Sequence, residues 1–426
     1  MNNIYKNFNL PENKKKYPTG DDNVITYPDR PHYNNRKYMN MKKDTQIICF
    51  DGCPNNPYHP SVMPIYQTST FIQPSSTEFG SYDYGRSGNP TRTALETILA
   101  GLENAYSSHA FSSGMSALNS VMRLAKHNEE IIVSSDLYGG MYRLLTKIIT
   151  NMGINIKFVD TSDLNQVKKA LTPKTTLIHI ETPSNPLMKI TDIKKISEMA
   201  RNNICYNSHA TILSVDSTMM SPYLMNPINL GADVVVHSAT KFLGGHSDII
   251  AGIVCVKNKY LADKISFNQN AEGTCLGPFD CWLLLRSIKT LHLRVERAQQ
   301  NSYKVADFLN KNPAVININY AGFGKNDNSN NIHIKQSRGS GSVISFTTGD
   351  VKFSQRLVNA CKLFKITVSF GSCNSLIELP CSLSHASIPS KDRTLPEDLI
   401  RLSIGIEHID DIINDLKQAF EIANIE

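Results

Sequence analysis

The sequence lacks the segments that would place the protein in a membrane or send it through one. No run of about 18 apolar residues occurs in the chain, although a helix that spans a bilayer needs about 20. The N-terminal stretch has no apolar core typical of a signal peptide, and its acidic residues Glu12, Asp21 and Asp22 make it unlike an acid-poor transit peptide. We therefore expect no membrane partner.

The nine cysteines lack the spacing of a metal site or of a disulfide framework. They are an odd number in a chain of 426 residues, and no CxxC pair occurs among them. A cysteine at an apolar position, such as Cys255 in the run IVCV, is typical of a small buried hydrophobic residue in a reducing compartment. We expect no metal site and a cytoplasmic location.

Clusters of basic residues are also scarce. The formal net charge of +6 arises from 44 basic and 38 acidic residues that are interspersed along the chain. The short run Lys14–Lys16 is too small for a nucleic-acid surface, which needs a basic stripe together with aromatic residues that stack on bases. We expect no nucleic-acid partner.

Composition and length predict a folded protein of several domains. Hydrophobic residues make up 41% of the chain and charged residues 19%, which lies in the range of globular proteins. Because a single domain usually holds about 100–200 residues, the length predicts two or three domains. Residues 1–44 are rich in Asn, Lys, Tyr and Pro without apolar periodicity, so we predict a flexible N-terminal extension there.

Short β-branched runs alternate with helical patterns from residue 104 to residue 290. The runs are IIVS at 131–134, NIKFV at 155–159, TTLIHI at 175–180, ILSV at 212–215 and DVVVH at 233–237. Apolar residues at helical spacing lie between them, for example from Met115 to Lys126 and from Ile193 to Arg201. This alternation predicts an α/β domain with a mostly parallel central sheet covered by helices.

A long helical pattern from Pro278 to Leu309 predicts a connecting helix. Beyond it, the strand-like segments GSVISF, ITVSF and IRLSI alternate with helical segments. We therefore predict a smaller C-terminal α/β domain that is docked to the first one.

Polar residues follow the predicted parallel strands, whose carboxyl ends usually form the ligand site of such a sheet. Lys241 lies in HSATKFLGGHSD, between hydroxyl residues and a Gly-rich turn, and this setting suits an amine that forms a Schiff base. Such an amine loses its proton at neutral pH only when it is partly buried or has a cationic neighbour. Considered alone, a lysine in this setting is more often an ordinary surface lysine.

Asp216 ends an apolar strand, where an unpaired carboxylate would be costly to bury. A protonated pyridine nitrogen would be a suitable cationic partner, although an aspartate can also cap the next turn. The segment SSGM opens a helical stretch, so the N–H groups of Gly114 and Met115 suit a phosphate, unless the serine serves only as a helix cap. Tyr138 in DLYGG can lie against a flat cofactor or be a simple loop tyrosine.

Six segments, taken together, resemble the Cys/Met-metabolism family of pyridoxal-phosphate enzymes. They are YDYGRSGNPTR from Tyr82, SSGM from Ser112, DLYGG from Asp136, ETPSNP from Glu181, HSATKFLGGHSD from His237 and IRLSIGIE from Ile400. The resemblance spans about residue 45 to the C-terminus. It implies the fold-type I, transferase-like α/β architecture, with an N-terminal arm over 45–103, a cofactor domain over 104–290 and a C-terminal α/β domain over 291–426.

The resemblance also implies the cofactor pyridoxal 5'-phosphate and a role for individual residues. Lys241 would form the internal aldimine and act as the catalytic base, Asp216 would pair with the pyridine nitrogen, and Tyr138 would stack on the ring. Either Lys241 or Tyr138 would protonate the leaving sulfur. The phosphate would be held by Gly114, Met115, Ser238 and Thr240. One departure from the family is Ser217 after Asp216, where the family usually has Asn.

The resemblance further implies an oligomer and a small amino-acid substrate. Tyr84 and Arg86 would reach the phosphate, and Tyr84 also the substrate, in the site of the neighbouring subunit, so the active unit would be at least a dimer and usually a homotetramer. Arg401 would clamp the substrate carboxylate with Asn185 and Ser369, since a planar guanidinium suits a bidentate contact. Without the resemblance, Arg401 would be interpreted as an ordinary surface arginine on a strand.

Two longer segments, from Glu272 and from Val368, resemble the plant-type members that cleave the Cβ–S bond. They imply β-elimination of L-cystathionine to homocysteine, pyruvate and ammonia in methionine biosynthesis. γ-Elimination needs a second deprotonation, at Cβ, and the γ-enzymes that act on cystathionine commonly have Glu where this chain has Val368. The γ-synthase, γ-lyase and methionine γ-lyase alternatives stay open, although Gly140 stands where methionine γ-lyases have a reactive cysteine. A non-catalytic scaffold is a remote alternative.

Overall fold

A computed structural model describes residues 41–49, 56–206, 208–323, 328–384 and 395–425. Most of the predicted N-terminal extension, residues 1–40, lies outside the described residues. In the described part, no helix is both long and apolar enough to cross a membrane.

The central sheet has seven strands in the order β1-β7-β6-β5-β4-β2-β3. Their bounds are Ser107–Phe111 (β1), Glu130–Ser134 (β2), Asn155–Val159 (β3), Thr175–Glu181 (β4), Ile212–Asp216 (β5), Val234–Ser238 (β6) and Gly252–Val256 (β7). The five runs predicted from the sequence are the five parallel strands β2 to β6, whereas β1 and β7 pair antiparallel at one side. The predicted parallel sheet is confirmed.

Both faces of this sheet are buried except along the edge strand β3, because helices cover each side. Neighbouring residues of one strand, such as Ile131 and Ile132 of β2, belong to separate apolar clusters on opposite faces. Side chains alternate between the faces of a strand, so a strand buried on both sides is a continuous apolar run. The helices up to residue 272 are Lys43–Ile48 (α1), Pro90–Glu103 (α2), Gly114–Met122 (α3), Gly139–Leu144 (α4), Leu164–Ala170 (α5), Ile193–Asn202 (α6), Ser221–Leu224 (α7) and Lys259–Glu272 (α8).

The predicted single connecting helix is two helices, Pro278–Ile288 (α9) and Leu291–Asn310 (α10). The break lies at Thr290, whose hydroxyl donates to the carbonyl of Ser287 at 3.2 Å and accepts from Nε of Arg294 at 3.1 Å. Arg294 also donates to the carbonyls of Phe242 and Ser287. These side-chain bonds satisfy the backbone at the break, and apolar periodicity does not reveal them.

A second sheet of five strands forms the core of the C-terminal part, in the order β10-β11-β12-β9-β8. The strands are Asn317–Asn319 (β8), Val343–Thr347 (β9), Lys365–Ile366 (β10), Leu376–Glu378 (β11) and Ile400–Ser403 (β12). The helices here are Asn328–Gln336 (α11), Val351–Ala360 (α12) and Ile409–Ile425 (α13).

The predicted strand ITVSF is wrong over most of its length. Only Ile366 of this segment belongs to β10, and the chain then turns away from the sheet. Ser369 has φ of 111°, a conformation that residues other than glycine rarely adopt. This unusual backbone places Ser369 at the candidate site described next.

Candidate active site

The carboxyl ends of β2, β4, β5 and β6 meet at one edge of the central sheet. Glu181 at the end of β4 is the register partner of Asp216 at the end of β5. Asp216 in turn pairs with Val236 of β6, two residues before Ser238. The polar residues that follow the predicted strands are therefore neighbours in space.

Lys241 lies in a tight turn after β6, where its backbone N–H donates to the carbonyl of Ser238 at 3.1 Å. Its Nζ donates to Oγ of Ser369 at 2.6 Å and lies 5.0 Å from the ring centroid of Phe370. Burial, together with the nearby Arg401, lowers the pKa of Lys241 to about 8, although Glu378 opposes the shift. The amine therefore has a larger neutral fraction near pH 7 than an ordinary lysine.

Tyr138 follows β2 and precedes α4, and its ring lies close to Gly140 and Met115. A Cβ atom at Gly140 would lie 2.4 Å from Cε1 of Tyr138 and 3.0 Å from Sδ of Met115. Only a glycine leaves space for the ring in this position. With 41% of its surface exposed, Tyr138 presents an aromatic face at the site.

The N-terminus of α3 points to the same place. Ser113 and Ser116 form a reciprocal capping box, with bonds of 3.0 and 3.1 Å between each side chain and the other residue's N–H. The N–H groups of Gly114 and Met115 therefore face the open end of the helix, where an anion is favoured. A Cβ atom at Gly114 would lie 3.0 Å from Oγ of Ser238, so this turn and Ser238 are in close contact.

Thr240 is the phosphate candidate whose hydroxyl is already engaged within the chain. Its Oγ1 donates to the carbonyl of Ala251 at 3.3 Å and accepts from the N–H of Ala251 at 3.1 Å. These two bonds fix the turn that carries Lys241.

Three carboxyl groups lie near one another at the sheet edge, those of Asp136, Glu181 and Asp216. Oδ1 of Asp216 accepts the N–H of Thr218 at 2.9 Å. Burial, together with the neighbouring Asp216 and Asp136, raises the pKa of Glu181 well above its usual range. Glu181 is a site residue that sequence reasoning left without a role, although its place at a strand end beside Asp216 is visible in the motif. Beside Asp216, the buried hydroxyl of Ser217 has no hydrogen-bond partner among the described residues.

Arg401 on β12 brings the predicted substrate-binding residues together. Its Nη1 donates to Oδ1 of Asn185 at 2.8 Å, and its Nη2 donates to the carbonyl of Ser369 at 2.6 Å. The same Nη2 lies 2.6 Å from Oε1 of Glu378, a residue that sequence reasoning missed. Ser369 therefore joins the two cationic side chains, because its hydroxyl contacts Lys241 and its carbonyl contacts Arg401.

Tyr84 and Arg86 lie apart from this group within the chain. Nε of Arg86 donates to Oδ1 of Asn270 at 3.0 Å, and its guanidinium lies 5.4 Å from the ring centroid of Tyr84. Both residues line a cleft of about 400 Å³ that also includes Arg92 and Cys275. This separation agrees with the prediction that both residues serve a different subunit, and that prediction remains to be tested.

The arrangement at the sheet edge fits pyridoxal phosphate. A partly buried amine, a carboxylate at a strand end and an aromatic face are adjacent, and the open N-terminus of α3 supplies anion donors beside Ser238. These are the groups that the aldehyde, the ring nitrogen, the ring face and the phosphate of this cofactor need.

Comparison with known proteins places the chain among such enzymes. The model of the family described as Cys/Met metabolism PLP-dependent enzyme matches residues 44–421. A chloroplastic cystathionine beta-lyase of Arabidopsis thaliana is 48% identical over 390 residues, which cover 90% of this chain and 82% of that protein. The corresponding protein of Mimosa pudica is 50% identical over 367 residues, or 85% of this chain and 79% of that protein.

A solved structure shares the same architecture. The cystathionine gamma-lyase from Lactobacillus plantarum, complexed with L-serine, superposes with a TM-score of 0.86 and 38% identity, covering 90% of this chain and 100% of that chain. The predicted fold class, an α/β protein with a mostly parallel central sheet, is confirmed by this likeness.

Proposed function

The chain belongs to the Cys/Met metabolism family of pyridoxal-phosphate-dependent enzymes, and from this premise we propose that it is a cystathionine β-lyase. The proposed reaction is β-elimination of L-cystathionine to homocysteine, pyruvate and ammonia, a step in methionine biosynthesis. The observation that carries the proposal is the position of Ser369, which links the amine of Lys241 to the guanidinium of Arg401. A proton-transfer group and a carboxylate-binding group therefore lie on either side of one residue.

Several residues would hold the cofactor. Lys241 would bind it covalently through Nζ, Asp216 would face the ring nitrogen, and Tyr138 would cover the ring. The phosphate would be bound by Gly114, Met115, Ser238 and Thr240. When bound, pyridoxal phosphate supplies an electron sink that stabilises negative charge at Cα.

The side chains of this chain would carry out binding and proton transfer. Arg401 would bind the substrate carboxylate with Asn185 and thereby fix the orientation of Cα. Lys241, with its lowered pKa, would remove the Cα proton. The leaving sulfur would receive a proton from Lys241 or from Tyr138, whose ring lies at the same edge.

Val368 supports cleavage at Cβ over cleavage at Cγ. Its side chain is 49% exposed next to Ser369 and supplies no acid or base. γ-Elimination needs a base for a second deprotonation after the first one. A γ-acting enzyme is the second candidate, because the similar solved structure is a cystathionine gamma-lyase.

A product assay with L-cystathionine tests the proposal. We expect pyruvate and homocysteine to exceed 2-oxobutyrate and cysteine by about tenfold or more, a barrier difference of about 1.4 kcal/mol. Main products of 2-oxobutyrate and cysteine would establish the γ-acting alternative. Faster formation of cystathionine from cysteine and an activated homoserine ester would establish a synthase.

We also propose that the active unit contains a second copy of this chain and that the protein is a homotetramer. The proposed arm over 45–103 exposes large apolar side chains, with Tyr58 at 89% and Phe79 at 77% exposure. Large exposed apolar side chains on one segment are what an interface with a partner subunit would cover. Tyr84 and Arg86 lie on the same arm and would complete the phosphate site of the partner.

The proposed location is the cytoplasm. The described cysteines are all free, and Cys205, Cys255, Cys281 and Cys381 are buried, which is typical of a reducing compartment. Two relatives are named as chloroplastic, so an organelle is the alternative location. Imaging of the full chain fused at its C-terminus to a fluorescent protein distinguishes a diffuse cytoplasmic signal from an organelle.

A further inference from the structure

An almost fully buried ion pair lies behind the proposed carboxylate site. Arg401 is 2% exposed and Glu378 is 1% exposed, and Nη2 of the arginine lies 2.6 Å from Oε1 of the glutamate. The two residues face each other in the register of β12 and β11. The backbone pairing of β11 with β12 therefore places these two side chains next to each other.

Within the part of the chain that the structure describes, the side chain of Glu378 is held through one oxygen only. Ser384 Oγ donates to Oε1 of Glu378 at 2.8 Å. Oε2 of Glu378 and Nε of Arg401 are both buried and have no hydrogen-bond partner within the described ranges. The pair thus leaves one acceptor and one donor unused.

Stability alone explains such a pair poorly. Removing two charges from water costs free energy that their attraction regains only with good geometry and full hydrogen bonding, and here one atom on each side stays unpaired. A buried guanidinium without a carboxylate would be an uncompensated charge. The three contacts of Arg401, with Asn185, Ser369 and Glu378, instead fix the planar guanidinium before any substrate arrives.

We infer that Glu378 is a positioning residue, which orients Arg401 for the carboxylate of an α-amino-acid substrate. The inference rests on the role of Arg401 in the proposed function. Orientation matters because a displacement of about 1 Å in a binding group can cost about a hundredfold in rate. Glu378 is 1% exposed and contacts Arg401, so its effect should be limited to ligands that carry the carboxylate.

The test uses Glu378→Gln, which keeps the size of the side chain and removes its charge. For the holoenzyme with L-cystathionine we expect KM to rise about tenfold, with kcat changed less than about threefold, because a ground-state binding contact is weakened. Competitive inhibition by L-serine and by ethanolamine, which lacks only the carboxylate, is measured in parallel. Inhibition by L-serine should weaken about tenfold and inhibition by ethanolamine less than about twofold.

Two outcomes would overturn the inference. Equal weakening of both inhibitors would indicate a general loss of structure, and an unchanged L-serine constant would show that Arg401 needs no partner. Glu378→Asp restores the charge and should recover part of the L-serine affinity. Ser384→Ala removes the bond to Oε1 and should produce a smaller change in the same direction, which gives a second test should Glu378→Gln fail to fold.

Asp415→Asn is the matched control for loss of a buried carboxylate in the same part of the chain. Asp415 accepts the N–H groups of Lys362 and Leu363 at 2.8 Å, and neither contact involves Arg401. We expect a lower Tm with an unchanged L-serine to ethanolamine ratio. Failure of the proposed function is distinguishable: an altered product pattern leaves the two inhibition constants measurable, and Arg401→Lys with unchanged L-serine inhibition would reject the role of Arg401.

Discussion

The two halves of the candidate site hold charge in different ways. At the edge of the central sheet, Lys241 has a pKa lowered to about 8, and Glu181 and Asp136 have pKa values raised by burial. On the small sheet, Arg401 and Glu378 form a buried ion pair. The first half is suited to moving protons and the second to holding a substrate carboxylate.

Strand direction produces this difference. Parallel strands bring their carboxyl ends to one edge, so Glu181 and Asp216 lie side by side, and burial together with Asp216 raises the pKa of Glu181. In the antiparallel pair of β11 and β12, Glu378 lies opposite Arg401, and opposite charges attract. Crowding of like charges shifts pKa values, whereas opposite charges in register fix a side chain.

The strongest test of the proton-moving half is Lys241→Ala. We expect more than about a thousandfold loss of turnover with L-cystathionine, because the covalent anchor and the base are removed together. The exposed Lys304→Ala on α10 is the matched control and should keep wild-type turnover. Retention of more than about a tenth of wild-type activity by Lys241→Ala, in protein with normal circular dichroism, would reject the assignment.

Arg401→Lys tests the part of the site on the small sheet, which is proposed to bind the substrate carboxylate. Lysine keeps the charge but lacks the planar fork that contacts Asn185 and Ser369 together, so we expect about a hundredfold loss in kcat/KM, equivalent to about 2.7 kcal/mol. The control is Arg356→Lys on α12, whose Nε donates to the carbonyl of Ala423 at 3.1 Å. Steady-state kinetics should show most of the loss in KM; a loss confined to kcat would contradict a binding role.

Mixed oligomers test whether the two halves need a third group from a partner. Subunits with Tyr84→Phe and Arg86→Ala are combined with Lys241→Ala subunits, both inactive alone. In a random mixture half of the dimers are hybrids with one intact site of two, so about a quarter of wild-type activity should return. Verified hybrids without any activity would show that all these residues serve one subunit's site.

The central sheet and the part of the site at its edge could be predicted from the sequence. Apolar runs such as TTLIHI identify the buried strands, and the residues after each run locate the edge where Asp216 and Lys241 meet. Resemblance to a family supplied the roles of Arg401 and Asn185, which composition and periodicity do not reveal.

The part of the site on the small sheet was less predictable, because it depends on the register of β11 and β12. In the sequence, nothing distinguishes Glu378 among the 38 acidic residues. Only the register of β11 and β12 places it opposite Arg401. Ser369 contacts both Lys241 and Arg401, and its unusual φ lies in the part of ITVSF that does not form the predicted strand. At the break near Thr290, Arg294 donates both to the Thr290 hydroxyl and to the carbonyl of the distant Phe242, a contact that the sequence does not reveal.

The last expected effect concerns stability and pH rather than activity, and it tests whether the charged form of Lys241 is disfavoured in the folded protein. The folded pKa of about 8 lies below the ordinary value of 10.5, so between these limits the unfolded protein binds more protons than the folded protein. For protein stripped of pyridoxal phosphate, stability should therefore rise with pH through this window, by at most about 1.4 kcal/mol per pH unit for one group.

Lys241→Met removes this contribution. Its stability relative to wild type, measured by denaturant unfolding, should be highest near pH 7.5 and fall towards pH 10, while Lys304→Met should show no such trend. A pH-independent difference for Lys241→Met would mean that the amine is not desolvated in the folded protein.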